Sequence, residues 1–130
     1  MKNFKYLFFY LLAFSFLACA EANSQVKNLS LDAFVETYQT TENAQLLDVR
    51  TPGEWSNGSL AKSEKVNFKD AQFAANVQKL DKSKTYFVYC AVGGRSARAA
   101  NVLIQNGYKV VNLTGAGYGQ LAKKGLDDEK

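Results

Sequence analysis

Short runs of apolar residues recur along the chain and alternate with segments of helical periodicity. The run TYFVYC at 85–90 is rich in aromatic and β-branched residues and too short for a helix, so it predicts a buried strand. AQLLDV at 44–49 and YKVVNL at 108–113 have the same character and predict two more strands. A short strand is also expected at 66–68.

Apolar residues spaced three, four and seven apart predict helices between these strands. Their candidate N-caps are Ser30, Asp70 and Ser96, and the helix that begins at Ser96 is expected to end at Asn106–Gly107. A strand, a helix and a second strand in immediate succession form a βαβ unit with a right-handed crossover. We therefore predict one α/β domain, with a central, mainly parallel sheet flanked by helices on both faces.

The N-terminal segment differs from the rest of the chain in its composition. Lys2 and Lys5 come before an apolar run at 6–18, which is short for a membrane span but fits the core of a signal peptide. We expect residues 1–19 to direct export, and the sequence around Cys19 resembles a lipobox. The predicted location is therefore the bacterial periplasm, either as a lipoprotein anchored through Cys19 or, after ordinary signal cleavage, as a soluble protein.

The segment 20–29 is small and polar, and we expect it to tether the signal to a domain over residues 30–130. The chain has 130 residues, enough for one domain with one core. Its 16 Lys+Arg against 12 Asp+Glu give a net charge of +4, partly from the signal segment. No basic stripe with interleaved aromatics occurs, which argues against a nucleic-acid partner. Membrane contact is expected only through the lipid anchor.

The chain contains two cysteines and no histidine. The lack of histidine excludes His-dependent zinc sites, Ser-His-Asp triads and Cys-His dyads. If Cys19 is lipidated or removed, Cys90 is a lone thiol and cannot form an intramolecular disulfide. A small buried residue at the end of a strand is the simplest explanation for Cys90, and its neighbours have to be weighed against it.

Those neighbours form the segment CAVGGRS at 90–96, between the best strand and the helix that follows. In parallel sheets, ligands bind at the turns that follow the carboxyl ends of the strands. Gly93 and Gly94 allow the chain to curl, so that successive amides converge near the positive end of the helix. Such an anion cradle favours the thiolate form of Cys90, while Arg95 adds charge at its rim or braces the loop.

The pattern C-x-x-G-x-R-S, formed by Cys90, Gly93, Arg95 and Ser96, resembles the rhodanese homology domain in its small, single-domain, exported form. A second segment carries the same resemblance. Asp48-Val49-Arg50, followed by Glu54-Trp55 and Gly58, is similar to the family pattern D-V-R-x-x-x-E-aromatic-x-x-G. The likeness extends from about Ser30 to Gly125.

This resemblance implies a sulfurtransferase that works without a cofactor or metal. The Cys90 thiolate would take the outer sulfur of a donor such as thiosulfate, release sulfite, and pass the sulfur from a persulfide to cyanide or a thiol. Asp48, Arg50 and Glu54 would form ion pairs that brace the loops around the site, with Trp55 beneath the loop that contains Cys90. The residues implied to bind substrate are Ala91, Val92, Gly93, Gly94, Arg95, Ser96 and Arg50.

The chain departs from the family pattern at supporting positions. Gly58-Ser59-Leu60 stands where Gly-His-Ile is usual, the segment 62–66 replaces Gly-Ala-x-Asn-Ile, and Leu121 lies about where a tryptophan is expected. Two alternatives stay open, a non-catalytic or thiol-sensing binding module of the same fold and a cysteine phosphatase. Phosphatase loops resemble C-x5-R, whereas four residues separate Cys90 from Arg95, and this spacing favours sulfur over phosphate.

Overall fold

The structure is a computed structural model and describes residues 25–126. Within them a five-stranded sheet has the order β1-β5-β4-β2-β3, and all four pairings are parallel. The α/β class and the parallel sheet are therefore confirmed. The strands are β1 (Lys27–Leu29), β2 (Ala44–Asp48), β3 (Glu64–Lys65), β4 (Thr85–Tyr89) and β5 (Lys109–Leu113).

Helices cover both faces of this sheet, as the sequence predicted. Phe73 and Leu103 mark the face covered by α3 and α4, whereas Phe34 and Leu121 mark the face covered by α1 and α5. The described helices are α1 (Leu31–Thr40), α2 (Pro52–Ser56), α3 (Phe73–Val77), α4 (Gly94–Gln105) and α5 (Tyr118–Lys123).

The central strand β4 explains where Cys90 lies. Residues 86–90 are all buried, because β4 is paired on both sides and covered on both faces. Successive side chains of a strand point to opposite faces. Val88 packs toward α3 and α4, Tyr89 packs toward α1 and α5, and Cys90 returns to the α4 side just beyond the last strand residue. The thiol is thereby placed under the start of the next helix.

The register between β2 and β4 brings the two sequence motifs together. Asp48 lies opposite Tyr89, and the Val49 amide donates a hydrogen bond to the Tyr89 carbonyl over 3.1 Å. The loops that follow these strands, which begin near Arg50 and Cys90, therefore start side by side at the carboxyl edge of the sheet.

Three expected elements differ in position. The last residues of the expected tether form β1, because residues 27–29 pair with β5 and so complete the sheet edge. The strand expected at 66–68 lies instead at 64–65, although the amides of Val66 and Phe68 still donate to carbonyls of the β2 segment. The helix expected from Asp70 begins only at Phe73.

The expected caps are confirmed only in part. Ser30 is the N-cap residue of α1, as expected, although its hydroxyl makes no capping hydrogen bond. Ser96 lies inside α4, whose N-cap is Gly93 with a left-handed φ of 103°. The Asp70 carboxylate accepts from the Gln72 amide over 2.8 Å, which stabilises a turn before α3 rather than its first helical turn.

The predicted signal peptide over 1–19, the lipid site at Cys19 and the tether residues 20–24 lie outside the described residues. Between residues 25 and 126, no helix has the length and apolar character required to cross a bilayer.

Replacement of Phe87 tests how much packing in the core contributes to the free energy of unfolding. It is fully buried in β4 and meets Phe34 and Tyr38 edge to face at centroid distances of 5.3 and 5.4 Å. Phe87→Ala is expected to lower the free energy of unfolding by about 3–5 kcal/mol, measured by urea denaturation. Val92→Ala, at a side chain that is 80% exposed, is the control and should change it by less than about 0.5 kcal/mol. Similar losses in the two variants would contradict this description of the core.

Candidate active site

The sulfur of Cys90 lies at the centre of the loop that joins β4 to α4. The Gly93 amide donates a hydrogen bond to Cys90 Sγ over 3.0 Å. Gly93 can present this amide because its φ of 103° lies in a region that favours glycine. Cys90 is only 1% exposed, so a reagent reaches the sulfur only by entering the loop.

The Ser96 hydroxyl is the second polar group at the sulfur. The thiol of Cys90 donates to Ser96 Oγ over 3.6 Å, and that hydroxyl donates in turn to the Gly93 carbonyl over 3.1 Å. Ser96 is itself fully buried within α4. When the thiol ionises, the hydroxyl can rotate and donate a hydrogen bond to the sulfur, because a serine hydroxyl both donates and accepts.

These contacts lower the pKa of the Cys90 thiol from its ordinary value. Burial acts in the opposite direction and raises the pKa, since it removes water from the thiolate. The hydroxyl and amide of Ser96 and the amides of Gly93 and Val92 lower it, and together they outweigh the effect of burial. The loop therefore favours the nucleophilic form of the residue.

Arg95 braces the loop through an ion pair with Glu54 of α2. Its Nη1 and Nη2 donate to the two Glu54 carboxylate oxygens over 2.6 and 2.8 Å. The Arg95 side chain hydrogen-bonds and attracts the carboxylate, and so lowers the pKa of Glu54 from 4.5 to about 2. Because the folded-state pKa is depressed, the stabilisation is fully present above about pH 4.5 and is lost as the pH falls toward 2. Arg95 is therefore the partner of Glu54 in the bracing ion pair that the sequence predicted.

Asp48 and Arg50 form a second, buried ion pair. Arg50 donates to both Asp48 carboxylate oxygens over 2.7–3.1 Å and to the Gly58 carbonyl over 2.8 Å. Its guanidinium also stacks on the Tyr118 ring, 4.0 Å from the centroid. Arg50 is 4% exposed, and its Nε and Nη2 groups donate to Asp48 and Gly58. The structure thus contains the bracing ion pair predicted for Arg50, and its contact with substrate stays a prediction.

The remaining predicted residues take different positions. Val92 is 80% exposed at the apex of the loop, Gly94 is exposed beside it, and Ala91 is half-buried. Trp55 lines a groove between α2 and α3, so the position expected for it beneath the loop at 90–96 stays a prediction.

No group of three His, Cys, Asp or Glu side chains that could hold a metal occurs in the described part of the chain.

With this geometry in place, the family can be assigned. The family described as "Rhodanese-like domain" matches residues 31–120, which contain both ion pairs and the whole cysteine loop. This chain belongs to the rhodanese-like domain family.

Relatives of this rhodanese-like chain agree with that assignment. A protein named "Sulfurtransferase" from Allochromatium vinosum is 28% identical over 91 residues, which cover 69% of this chain and 83% of that protein. YtwF of Bacillus subtilis is 30% identical over 91 residues, covering 70% and 86%. A rhodanese-related protein from Thermoplasma volcanium has a crystal structure that matches with a TM-score of 0.63 at 29% identity, covering 76% and 93%.

The residues at the start of α5 and just before it support the loop at 90–96 in a way that the sequence did not reveal. The Tyr118 amide donates to the Cys90 carbonyl over 2.9 Å. Gly117 lies so close to the carbonyls of Cys90 and Ala91 that any Cβ at this position would overlap them. The G-A-G sequence at 115–117 was the available signal, because glycine is the residue that permits such a close backbone approach.

Ser96→Ala is expected to raise the pKa of the Cys90 thiol, because it removes a hydrogen bond that favours the thiolate. The rate of iodoacetamide alkylation plotted against pH should shift to higher pH, and the rate at neutral pH should fall. Ser83→Ala, at an exposed serine remote from the loop, should leave the profile unchanged. An unshifted profile in a folded Ser96→Ala protein would show that the hydroxyl does not tune the thiol.

Gly117→Ala is expected to displace the loop at 90–96, because the added methyl group overlaps the Ala91 carbonyl. We expect a stability loss of about 1–3 kcal/mol by thermal or urea unfolding. Cys90 alkylation at neutral pH should slow as the amides move away from the sulfur.

Gly119→Ala is the matched control for this change. Nothing lies within 4 Å of a Cβ at position 119, which is inside α5. Alanine should therefore stabilise the protein by about 0.5–1 kcal/mol through helix propensity, with Cys90 reactivity unchanged. Equal behaviour of the two variants would remove the support assigned to Gly117.

Proposed function

We propose that this chain is a sulfurtransferase that carries sulfane sulfur as a persulfide on Cys90. The donor is a small anion such as thiosulfate, and the acceptor is a thiol or cyanide. The observation that carries the proposal is the position of Cys90 Sγ, within hydrogen-bonding reach of the Gly93 amide and the Ser96 hydroxyl and with a lowered pKa. The homologue named as a sulfurtransferase supports the same activity.

In the first half-reaction, the Cys90 thiolate attacks the outer sulfur of thiosulfate. A bond forms between Cys90 Sγ and that sulfur, and the sulfur–sulfur bond of thiosulfate breaks. The bonding electrons leave with sulfite, so the charge is balanced without a proton or a metal. The product is an anionic persulfide whose outer sulfur lies inside the loop.

The loop amides would stabilise both anions of this step. Fixed donors aimed at a developing charge lower the barrier, because they need no reorganisation during the reaction. The Gly93 amide already points at Sγ, and the free amides at the start of α4 add partial positive charge. These backbone groups, rather than charged side chains, are the anion-binding elements of the site.

In the second half-reaction, an acceptor thiolate attacks the outer persulfide sulfur. A new sulfur–sulfur bond forms on the acceptor, the bond to Cys90 Sγ breaks, and the thiolate of Cys90 is regenerated. With cyanide as acceptor the product is thiocyanate. Both half-reactions use the same nucleophile and the same set of amides.

The phosphatase alternative is weaker on geometric grounds. A phosphatase arginine has to present its guanidinium to the phosphate, whereas both terminal nitrogens of Arg95 donate to Glu54. The binding-module alternative makes no persulfide, so it is separated by the experiment below. Export through residues 1–19, with a lipid anchor at Cys19, stays our proposal for the location.

Incubation with thiosulfate, followed by intact mass measurement, tests the persulfide. The wild-type protein is expected to gain one sulfur atom, and cyanide should remove it with release of thiocyanate. Cys90→Ser is the control, because it keeps the loop while replacing the nucleophile, and it should gain nothing. No gain in a folded protein whose Cys90 is still alkylated by iodoacetamide would contradict thiosulfate as donor and favour the binding module.

A further inference from the structure

A groove separate from the cysteine loop lies between α2, the β3 segment and α3. Its volume is about 420 Å³, which is in the range of small-molecule sites. Its lining combines apolar side chains with two lysines, two asparagines and one aspartate. The residues that matter here are Pro52, Trp55, Lys65, Val66, Lys79 and Leu80.

The groove carries an excess of positive charge, because two lysines and one aspartate line it. Lys65 and Lys79 are exposed, and neither forms an ion pair within the described residues. The acid in the lining, Asp70, is already engaged, because its carboxylate accepts from the Gln72 amide over 2.8 Å and from Asn76 over 3.3 Å. The lining therefore carries two lysines without ion pairs against one carboxylate.

Trp55 supplies a second, independent feature. Its Nε1 is buried and has no hydrogen-bond partner in the described part of the chain. A buried donor without an acceptor is unfavourable, and because Nε1 is not accessible, an acceptor in the groove reaches it only when the ring turns. Trp55 is also the only tryptophan of the sequence, so its indole gives a single, unambiguous spectroscopic signal.

We propose that this groove binds a small organic anion that carries two carboxylates on a body with both apolar and polar groups. Lys65 and Lys79 pair with the carboxylates, while Pro52 and Trp55 contact the body of the ligand.

The groove is linked through α2 to the loop at 90–96, which contains Cys90. Trp55 directly follows Glu54, whose carboxylate holds Arg95. The opposite wall is attached to β2, because the Val66 amide donates to the Asp48 carbonyl over 3.0 Å. A ligand in the groove therefore contacts α2, which carries Glu54, and the segment at Val66, which is hydrogen-bonded to the backbone of Asp48.

The test uses S-methylglutathione, a dicarboxylate whose sulfur is blocked, and the ¹⁵N-labelled protein. Titration should shift the Trp55 indole cross-peak in a saturable manner, and the diethyl ester of the same compound should not. Because the probe cannot accept sulfur, this result does not depend on the sulfur-transfer activity.

Three lysine variants test which charges bind the probe, and one of them is the control. Lys65→Gln and Lys79→Gln should each raise the Kd about two- to fivefold, the effect expected for an exposed ion pair. Lys123→Gln changes an exposed lysine of α5, on the other face of the sheet, and should leave the Kd unchanged. The proposal is overturned if the indole peak does not move at millimolar probe, or if all three variants bind equally.

Two kinds of ligand have this chemistry: a thiol that accepts sulfur from Cys90, and an effector that binds without reacting. With glutathione as acceptor of the Cys90 persulfide sulfur, a rise of KM in Lys65→Gln that matches the rise of Kd assigns the groove to the acceptor and supports the site. A KM that is unchanged while the Kd rises assigns it to an effector and supports the site equally. This second arm rests on the proposed function, whereas the indole titration does not.

Discussion

The parallel pairing of β2 with β4 is the constraint on which the rest of the site depends. It places Asp48 opposite Tyr89, so the loops that carry the two sequence motifs begin at neighbouring positions of one sheet edge. Only then can Glu54, in the short helix after β2, reach Arg95 at the start of α4. A slip of the pairing by one residue would reverse the side-chain alternation of β4 relative to its neighbours. Cys90 would then leave the side of the sheet on which α4 begins.

Charged side chains near Cys90 hold the structure together, and backbone amides are left to interact with sulfur. Arg50 is occupied by Asp48, and Arg95 is occupied by Glu54. Breaking the buried pair by removing one partner leaves an uncompensated charge, which destabilises proteins by about 3–5 kcal/mol. The anion-binding capacity of the loop therefore comes from groups whose geometry the fold fixes. Such preorganised donors suit a reaction in which negative charge moves between sulfur atoms without proton transfer.

Much of this arrangement could be predicted from the sequence, since β2, β4 and β5 are apolar runs and both motifs are local patterns. The edge strand β1 could not, because Lys27 and Asn28 are exposed and polar, and only pairing with β5 makes them a strand. The N-terminus of α4 was misplaced for a related reason. Serine is a common N-cap, but here the left-handed conformation of Gly93 starts the helix and leaves the Ser96 hydroxyl free to face the sulfur.

The reactivity of Cys90 depends on rigidity as much as on residue type. Burial alone opposes ionisation of the thiol, so the hydrogen bonds to sulfur must together exceed the loss of hydration. Those bonds act only while the loop keeps its shape, and hydrogen bonds weaken steeply as their geometry is lost. The shape is maintained partly by the close approach of Gly117 and by the bond from the Tyr118 amide to the Cys90 carbonyl. A segment with no nucleophile of its own therefore contributes to the ionisation of the thiol, through contacts that join residues distant in the sequence.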